Sequence, residues 1–305
     1  MNPAGIDRQK RRMIGETVLV MLLWGTLFPA VKLGYAAFSI DTAFYPNLLL
    51  FAGLRFLVSG GILTLVCALR HEPMRIGGRK ERSMVLLVGL FAICLHYACT
   101  YIGLSVTDSS KTALLKQLGA LFFVCFSFLF FREDRFSVGR VLSALLGLAG
   151  IFVLNTDGFG FSFGIGEALI VAASVCTVIS GILCKKYTAG IPPMVVTAYS
   201  QLSGGAVLTA ASLLMGGKPG TVSAESLSVF LYLCLATCVS YVLWNKNVQR
   251  GTLSDLFILK FLEPLFASVT GALLLGEDIL RLEYLLAFLL IAAAILLSEG
   301  KRKKD

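Results

Sequence analysis

Four charged side chains stand inside stretches that are otherwise apolar: Arg55, Lys116, Lys260 and Glu263. An ammonium in hydrocarbon costs roughly 2.5–3.5 kcal/mol even on the lenient insertion scale, so each charge needs a partner, water or a bound molecule. Lys116 has Thr112, Ala113, Gly119 and Ala120 at its i±3 and i±4 positions, which leaves no carboxylate within a helical turn. Its partner must come from another helix, from water or from a ligand. Lys260 differs, because Glu263 follows at i+3 on the same helical face. That pair is either permanently self-neutralised or opens when a ligand or a proton arrives, which makes Glu263 the first candidate for proton coupling. Arg55 keeps its charge and offers a bidentate fork to a carboxylate or phosphate. It faces either a central cavity or an acid on a neighbouring segment. Glu16 opens an apolar run, where the helix dipole favours a carboxylate. Capping or a helix interface is its first reading and proton coupling the second.

Polar-edged rings and amides surround these charges in sequence. Gln117 adjoins Lys116, with Lys111 one to two turns outward. His96 and Tyr97 form one patch, Tyr241, Trp244 and Asn245 another, and Trp24 stands alone near the start. Each is a candidate ligand contact against a packing alternative. Nothing beside His96 completes a metal site. The eight cysteines form no CxxC pair and read as small core residues. No phosphate-binding glycine loop is present, so neither a nucleotide nor any other cofactor is expected. With two histidines in the chain and no clustered nucleophile, an enzyme is the weakest of the function classes.

The elements that must position these residues follow from composition. The 305 residues are 57% hydrophobic and only 15% charged, which places the chain in the lipid bilayer. Apolar runs of about 17–25 residues recur, the length a helix needs to cross the hydrocarbon. Ten are counted, at about 14–36, 46–69, 84–105, 110–131, 138–154, 164–184, 194–216, 226–245, 254–275 and 282–299. The runs are continuous rather than alternating, so the expected fold is all-α and not a barrel. The first run is too long for a signal peptide and lacks a clear cleavage site. The net charge of +9 is a topology signal and not a nucleic-acid footprint. Twenty basic residues fall in the termini and alternate loops, against Lys218 and Arg281 on the other side. Both termini are therefore expected in the cytoplasm, with the protein multi-pass in the cell membrane.

An internal repeat sharpens this. Shifted by about 144, TALLKQLGALFFVCFSFLFFRED lies over LFILKFLEPLFASVTGALLLGED. Lys116 falls on Lys260, Tyr97 on Tyr241, and Glu133-Asp134 on Glu277-Asp278. Each unit carries five runs, an odd number, so the two copies must face opposite ways in the membrane. Inverted repeats with a site between them near the midplane are the pattern of secondary transporters. The expected organisation is a first five-helix repeat at 1–155, a second at 160–300 and a basic tail at 301–305.

The stretches YVLWNKNVQRGTLSDLFILKFLEPLFASVTGALLLGED, YIGLSVTDSSKTALLKQLGALFFVCFSFLFFRED and LLWGTLFPAVKLGY resemble the EamA-type ten-span branch of the drug/metabolite transporter superfamily. The resemblance covers essentially the whole chain. It implies ten helices, with spans 1–4 and 6–9 lining a cavity and spans 5 and 10 peripheral. Efflux is the implied direction. One position departs from the pattern: the proline of the fourth span is Ala120 here, while the ninth keeps Pro264, so a helix break is expected chiefly in the second half. In the nucleotide-sugar and triose-phosphate branches, lysines similar to Lys116 and Lys260 hold phosphate or carboxylate. The expectation is a small substrate with an anionic group, bound by Lys116, Lys260 and Arg55 with Tyr97, Tyr241, Trp24, Gln117 and His96, and coupled through Glu263 or Glu16. A cationic-drug exporter and a lipid flippase are the alternatives. The bilayer and the substrate are the expected partners, with a homodimer left open.

Overall fold

The computed structural model describes residues 3–105, 115–131, 137–154, 164–275 and 282–300. Among them every regular element is helical. This is what lipid dictates, since each backbone N–H and C=O must be satisfied within its own segment. The helices are α1 (Pro3–Ala37), α2 (Tyr45–Leu69), α3 (Arg79–Gly89), α4 (His96–Ser105), α5 (Leu118–Phe126), α6 (Val138–Leu154), α7 (Ile165–Tyr187), α8 (Pro193–Leu214), α9 (Ala224–Arg250), α10 (Leu253–Leu259), α11 (Leu262–Leu275) and α12 (Leu282–Gly300). A π-helical turn, Leu90–Leu95, joins α3 to α4. Short polar residues start several of them. The Glu167 carboxylate accepts from the Gly164 N–H at 2.8 Å, and at the start of α9 the Ser223 hydroxyl accepts from the Ser226 N–H at 3.1 Å. Beyond the end of α8, Gly216 takes φ +82°, the left-handed conformation that suits glycine after a helix C-terminus.

Six segments are long and apolar enough to cross a membrane: Arg11–Ala37, Tyr45–Leu69, Arg79–Gly103, Ile165–Tyr187, Ala224–Arg250 and Leu253–Leu274. Val138–Gly150 and Leu285–Ala294 are shorter apolar helices. α8 has the length, but Thr197, Ser200, Gln201 and Ser203 dilute its apolar character. Of the fourth expected span, residues 115–131 are described, and Lys111, Glu133-Asp134 and Glu277-Asp278 lie outside the described residues.

Helices distant in sequence pack together: α2 on α8, α6 on α12, α1 on both α9 and α11, α4 on α7, and α5 on α7. Glycines allow the closest approaches. A Cβ at Gly25 of α1 would come within 2.7 Å of the Phe266 Cβ, and one at Gly205 of α8 within 2.8 Å of the Leu57 backbone nitrogen. Alanine at either position forces the helices apart. Among the described residues four apolar clusters fill the interior, two of which bear on the centre. One joins Phe123, Trp244, Phe257 and Phe261; the other joins Phe56, Ile93, Leu208 and Tyr241.

Two helix breaks position the lysines. α10 ends at Leu259, and Lys260 and Phe261 form a turn before α11 begins at Leu262. Pro264 explains this break, because it lacks an N–H and its ring crowds the carbonyl of Lys260, four residues back. The first half breaks as well, at Gln117, directly after Lys116. The expectation that the break belongs chiefly to the proline-bearing half is thus corrected. With no proline at position 120, the close seating of Gly119 is what the structure offers instead. A Cβ there would come within 2.6 Å of the Ser174 carbonyl oxygen, so this turn is held hard against α7.

Candidate functional site

The breaks, the π-helical turn and α9 converge on one aromatic cluster. Tyr97 and Tyr241 meet through their hydroxyls, Tyr241 donating to Tyr97 at 3.2 Å. Trp24 lies 5.6 Å from the Tyr241 ring and 5.2 Å from the Trp244 ring. Its indole N–H donates to the Ser240 hydroxyl at 3.0 Å. Phe56 packs 4.6 Å from Tyr97, and His96 stands edge-on to Tyr97 at 4.9 Å.

The Lys260 ammonium lies beside both members of an indole pair, 4.6 Å from the Trp24 ring and 5.4 Å from Trp244. Glu263 lies 3.4 Å from it, an ion pair too long for a strong hydrogen bond. Such a pair is held loosely enough to open. Two indole faces supply up to roughly 2 kcal/mol each for a desolvated cation. The helix ends help too, because Lys260 caps the C-terminus of α10 and Glu263 lies in the first turn of α11.

Lys116 is half-buried, with its ammonium 4.8 Å from the Phe28 ring. No carboxylate among the described residues is within ion-pair distance of it. Its electrostatic neighbours are Glu263 and Lys260, so the two lysines share one region. Arg55 is 1% exposed and lies over the rings of Phe56 at 4.6 Å and Tyr97 at 5.3 Å. Its charge is felt with the phenols of Tyr35, Tyr97, Tyr101 and Tyr241. Among the described residues no acid pairs with it, and its Nε has no hydrogen-bond partner. Of its two expected settings, the neighbouring acid is therefore not found. Gln117 is buried with its Oε1 unpaired.

Two expected residues are otherwise engaged. His96 Nδ1 lies 3.0 Å from the Ala173 carbonyl oxygen, an arrangement that makes Nδ1 the donor and ties α4 to α7. Thr177 Oγ1 is 3.1 Å away on the same side. Glu16 is not in the first turn of a helix. The basic stretch before it consists of good helix formers, so α1 begins at Pro3. Glu16 instead accepts from Lys246 at 2.5 Å and from Arg12 at 3.0 Å, joining α1 to the C-terminal end of α9. At 1.5 Å per residue this pair lies about 12 Å along α1 from Trp24. The sequence reading missed Phe28 and Phe56, which no pattern separates from other phenylalanines, and Gln201. The last had a signal: it is a lone carboxamide beside Gly204-Gly205. Among the described residues no His, Cys, Asp and Glu cluster is arranged to hold a metal.

Chemically, the centre holds three cations and one carboxylate in an aromatic lining.

Comparison with known proteins gives a consistent result. The pattern of the EamA-like transporter family matches twice, at residues 13–156 and 164–299. The uncharacterized transporter YvbV of Bacillus subtilis is 28% identical, over 93% of this chain and 90% of its own length. The uncharacterized inner membrane transporter YedA of Escherichia coli K12 is 26% identical, over 96% and 93%. A WAT1-related chloroplastic protein of Arabidopsis thaliana is 26% identical, over 92% of this chain and 69% of its own. One crystal structure superposes with a TM-score of 0.81 at 21% identity, covering 96% of this chain and 98% of that one, a likeness of fold.

Proposed function

The chain belongs to the EamA-like transporter family and is a multi-pass membrane protein, and from that premise we propose that it exports a small metabolite bearing an anionic group by alternating access. The observation that carries this reading is the charge imbalance at the centre. Lys116 and Lys260 share one carboxylate neighbour, Glu263, and Arg55 has no acidic partner among the described residues. A carboxylate or phosphate would fill that imbalance.

The proposed frame is ten spans in two oppositely oriented five-helix units, at 1–155 and 160–300, with both termini cytoplasmic. The helix pairing supports it. Exchange of the two units turns the α1–α9 contact into α7–α4, and α1–α11 into α7–α5, and all four are present. The Tyr97–Tyr241 hydrogen bond supports it further. These residues are 144 apart, the repeat offset itself, and counterparts related by a two-fold axis touch only beside that axis.

In this mechanism an anionic substrate enters between Lys116 and Arg55. Glu263 accepts a proton, releases Lys260 to the substrate, and the two units rock about the tyrosine pair. A cationic substrate would need Glu16 or Glu263 unpaired, whereas both hold partners, at 2.5 and 3.4 Å. The test is solute uptake by proteoliposomes from matched anionic, zwitterionic and cationic solutes. Anion-dependent flux is expected. Flux confined to cations, or scrambling of fluorescent lipid with no solute flux, overturns the reading.

A further inference from the structure

Gln201 is 0% exposed, and neither its Nε2 nor its Oε1 has a hydrogen-bond partner. A buried carboxamide with both ends unpaired destabilises the fold, since it loses water and gains nothing. Such a group calls for an explanation, a function among them.

Its direction can be worked out from its neighbours on α8. Successive residues turn by about 100°, so 204 and 208 each lie within about 20° of 197, on opposite sides of it, with 201 about 20° beyond 208. Thr197 faces α9, its hydroxyl 3.4 Å from the Tyr241 carbonyl oxygen. Gly204 faces the π-helical turn, where a Cβ would come within 2.9 Å of Ile93 Cγ2. Leu208 belongs to the cluster of Phe56, Ile93 and Tyr241. Some 40° to the other side, Gly205 faces α2, packed on Leu57 and Phe56. Gln201 points between these directions, into the seam of α2, α9 and the π-helical turn. That seam holds the tilted Phe56–Tyr97 ring pair beside which the Arg55 guanidinium lies. A π-helical turn inside an α-helix is itself a frequent companion of functional sites.

The geometry points to Gln201 as a substrate-specificity residue that reads a planar group with adjacent N–H and C=O, a carboxamide or the edge of a nucleobase-like ring, on a substrate whose anionic group goes to Arg55. This rests on the transporter reading above and narrows it. A glutamine side chain offers one donor face and one acceptor in a plane, so its natural complement is a second such group. Alternating access exposes the seam to substrate when the units move.

Two probes carry both required groups and separate the two sources. Glutamine has a carboxylate and a carboxamide; orotate has a carboxylate and a nucleobase-like edge. Glutamate and benzoate are their counterparts without the donor–acceptor group. Flux of each is measured in proteoliposomes containing the full-length protein and Gln201→Met, a swap of similar volume that removes the two unpaired atoms. We expect the wild type to prefer one probe over its counterpart, with Gln201→Met raising the KM for that probe about tenfold or more and leaving the maximal rate within about twofold. The ligand-free thermal midpoint of the variant should rise, because an unsatisfied buried amide has been removed. Gln201→Leu, which also removes both polar atoms, should show the same loss of preference and serves if the methionine variant does not express. A wild-type KM in the variants overturns the inference. So does wild-type flux of other anions with no preference between either probe and its counterpart, an outcome that leaves the transporter reading intact. Absence of flux for every solute in the wild type sinks both.

Discussion

Lys116 and Lys260 occupy matching places in the two halves, each at a helix interruption, yet their surroundings differ. Lys260 is held by two indoles and by Glu263. Lys116 lies over one phenylalanine ring and has no carboxylate within pairing distance among the described residues. A duplicated unit has kept the cation twice and the counter-charge once. In the proposed mechanism the difference separates their duties: Lys116 presents a standing positive charge, while Lys260 presents one that Glu263 can mask.

The comparison breaks outright if Lys116 is dispensable. Lys116→Ala should reduce anion flux at least 100-fold with protein abundance and thermal midpoint unchanged, because no internal ion pair is lost. Normal flux in that variant would remove the standing charge from the mechanism. Glu263→Gln tests the masked charge by making Lys260 resemble Lys116. Binding of the transported anion should tighten by about tenfold, or ~1.4 kcal/mol, while turnover falls because release no longer follows deprotonation. Isothermal titration against the initial-rate assay reads the two effects separately, and unchanged affinity would mean that Glu263 masks nothing. Smaller again is Trp24→Phe, which weakens one of the two indole contacts. A two- to fivefold loss of affinity is expected, because a phenyl ring keeps part of the cation–π contact and about 0.5–1 kcal/mol of it is lost, and a larger loss would give Trp24 a direct role on the substrate. The least effect belongs to Glu16→Gln. The Glu16–Lys246 pair is partly exposed and distant from the lysines, so a stability loss of about 0.5–1 kcal/mol with unchanged KM should appear as a thermal-midpoint shift of the purified protein. A shift in the pH dependence of flux would instead move proton coupling to this pair.

Much of the frame was legible because lipid imposes it. Apolar length names six clear spans and shorter helices beside them, and Tyr97 and Tyr241, repeated at one offset, meet in the structure. What was not legible concerns rotation. Helices apolar on nearly every face carry no stripe to say which side looks inward, so Phe28 and Phe56 looked like any other phenylalanine. Gln201 was passed over because a small polar group in a span has a bland interpretation, and only the structure shows that both of its ends are unpaired. The interruption at Gln117 escaped because a proline rule was applied to a place where close seating on Ser174 governs. Glu16 was misplaced within its helix because the membrane boundary and the helix boundary are different things, and α1 runs on through its basic start.

The π-helical turn at Leu90–Leu95 also sets an angle. One surplus residue in a helix swings everything after it by about 100° relative to everything before. Removal of a single residue from this turn would therefore leave α3 seated on α8 and α4 still helical. It would send the imidazole of His96 and the phenol of Tyr97 round to faces now taken by their neighbours. The phase of the third span beyond the turn, and with it the identity of the side chains that α4 offers to the middle of the protein, hangs on that one added residue.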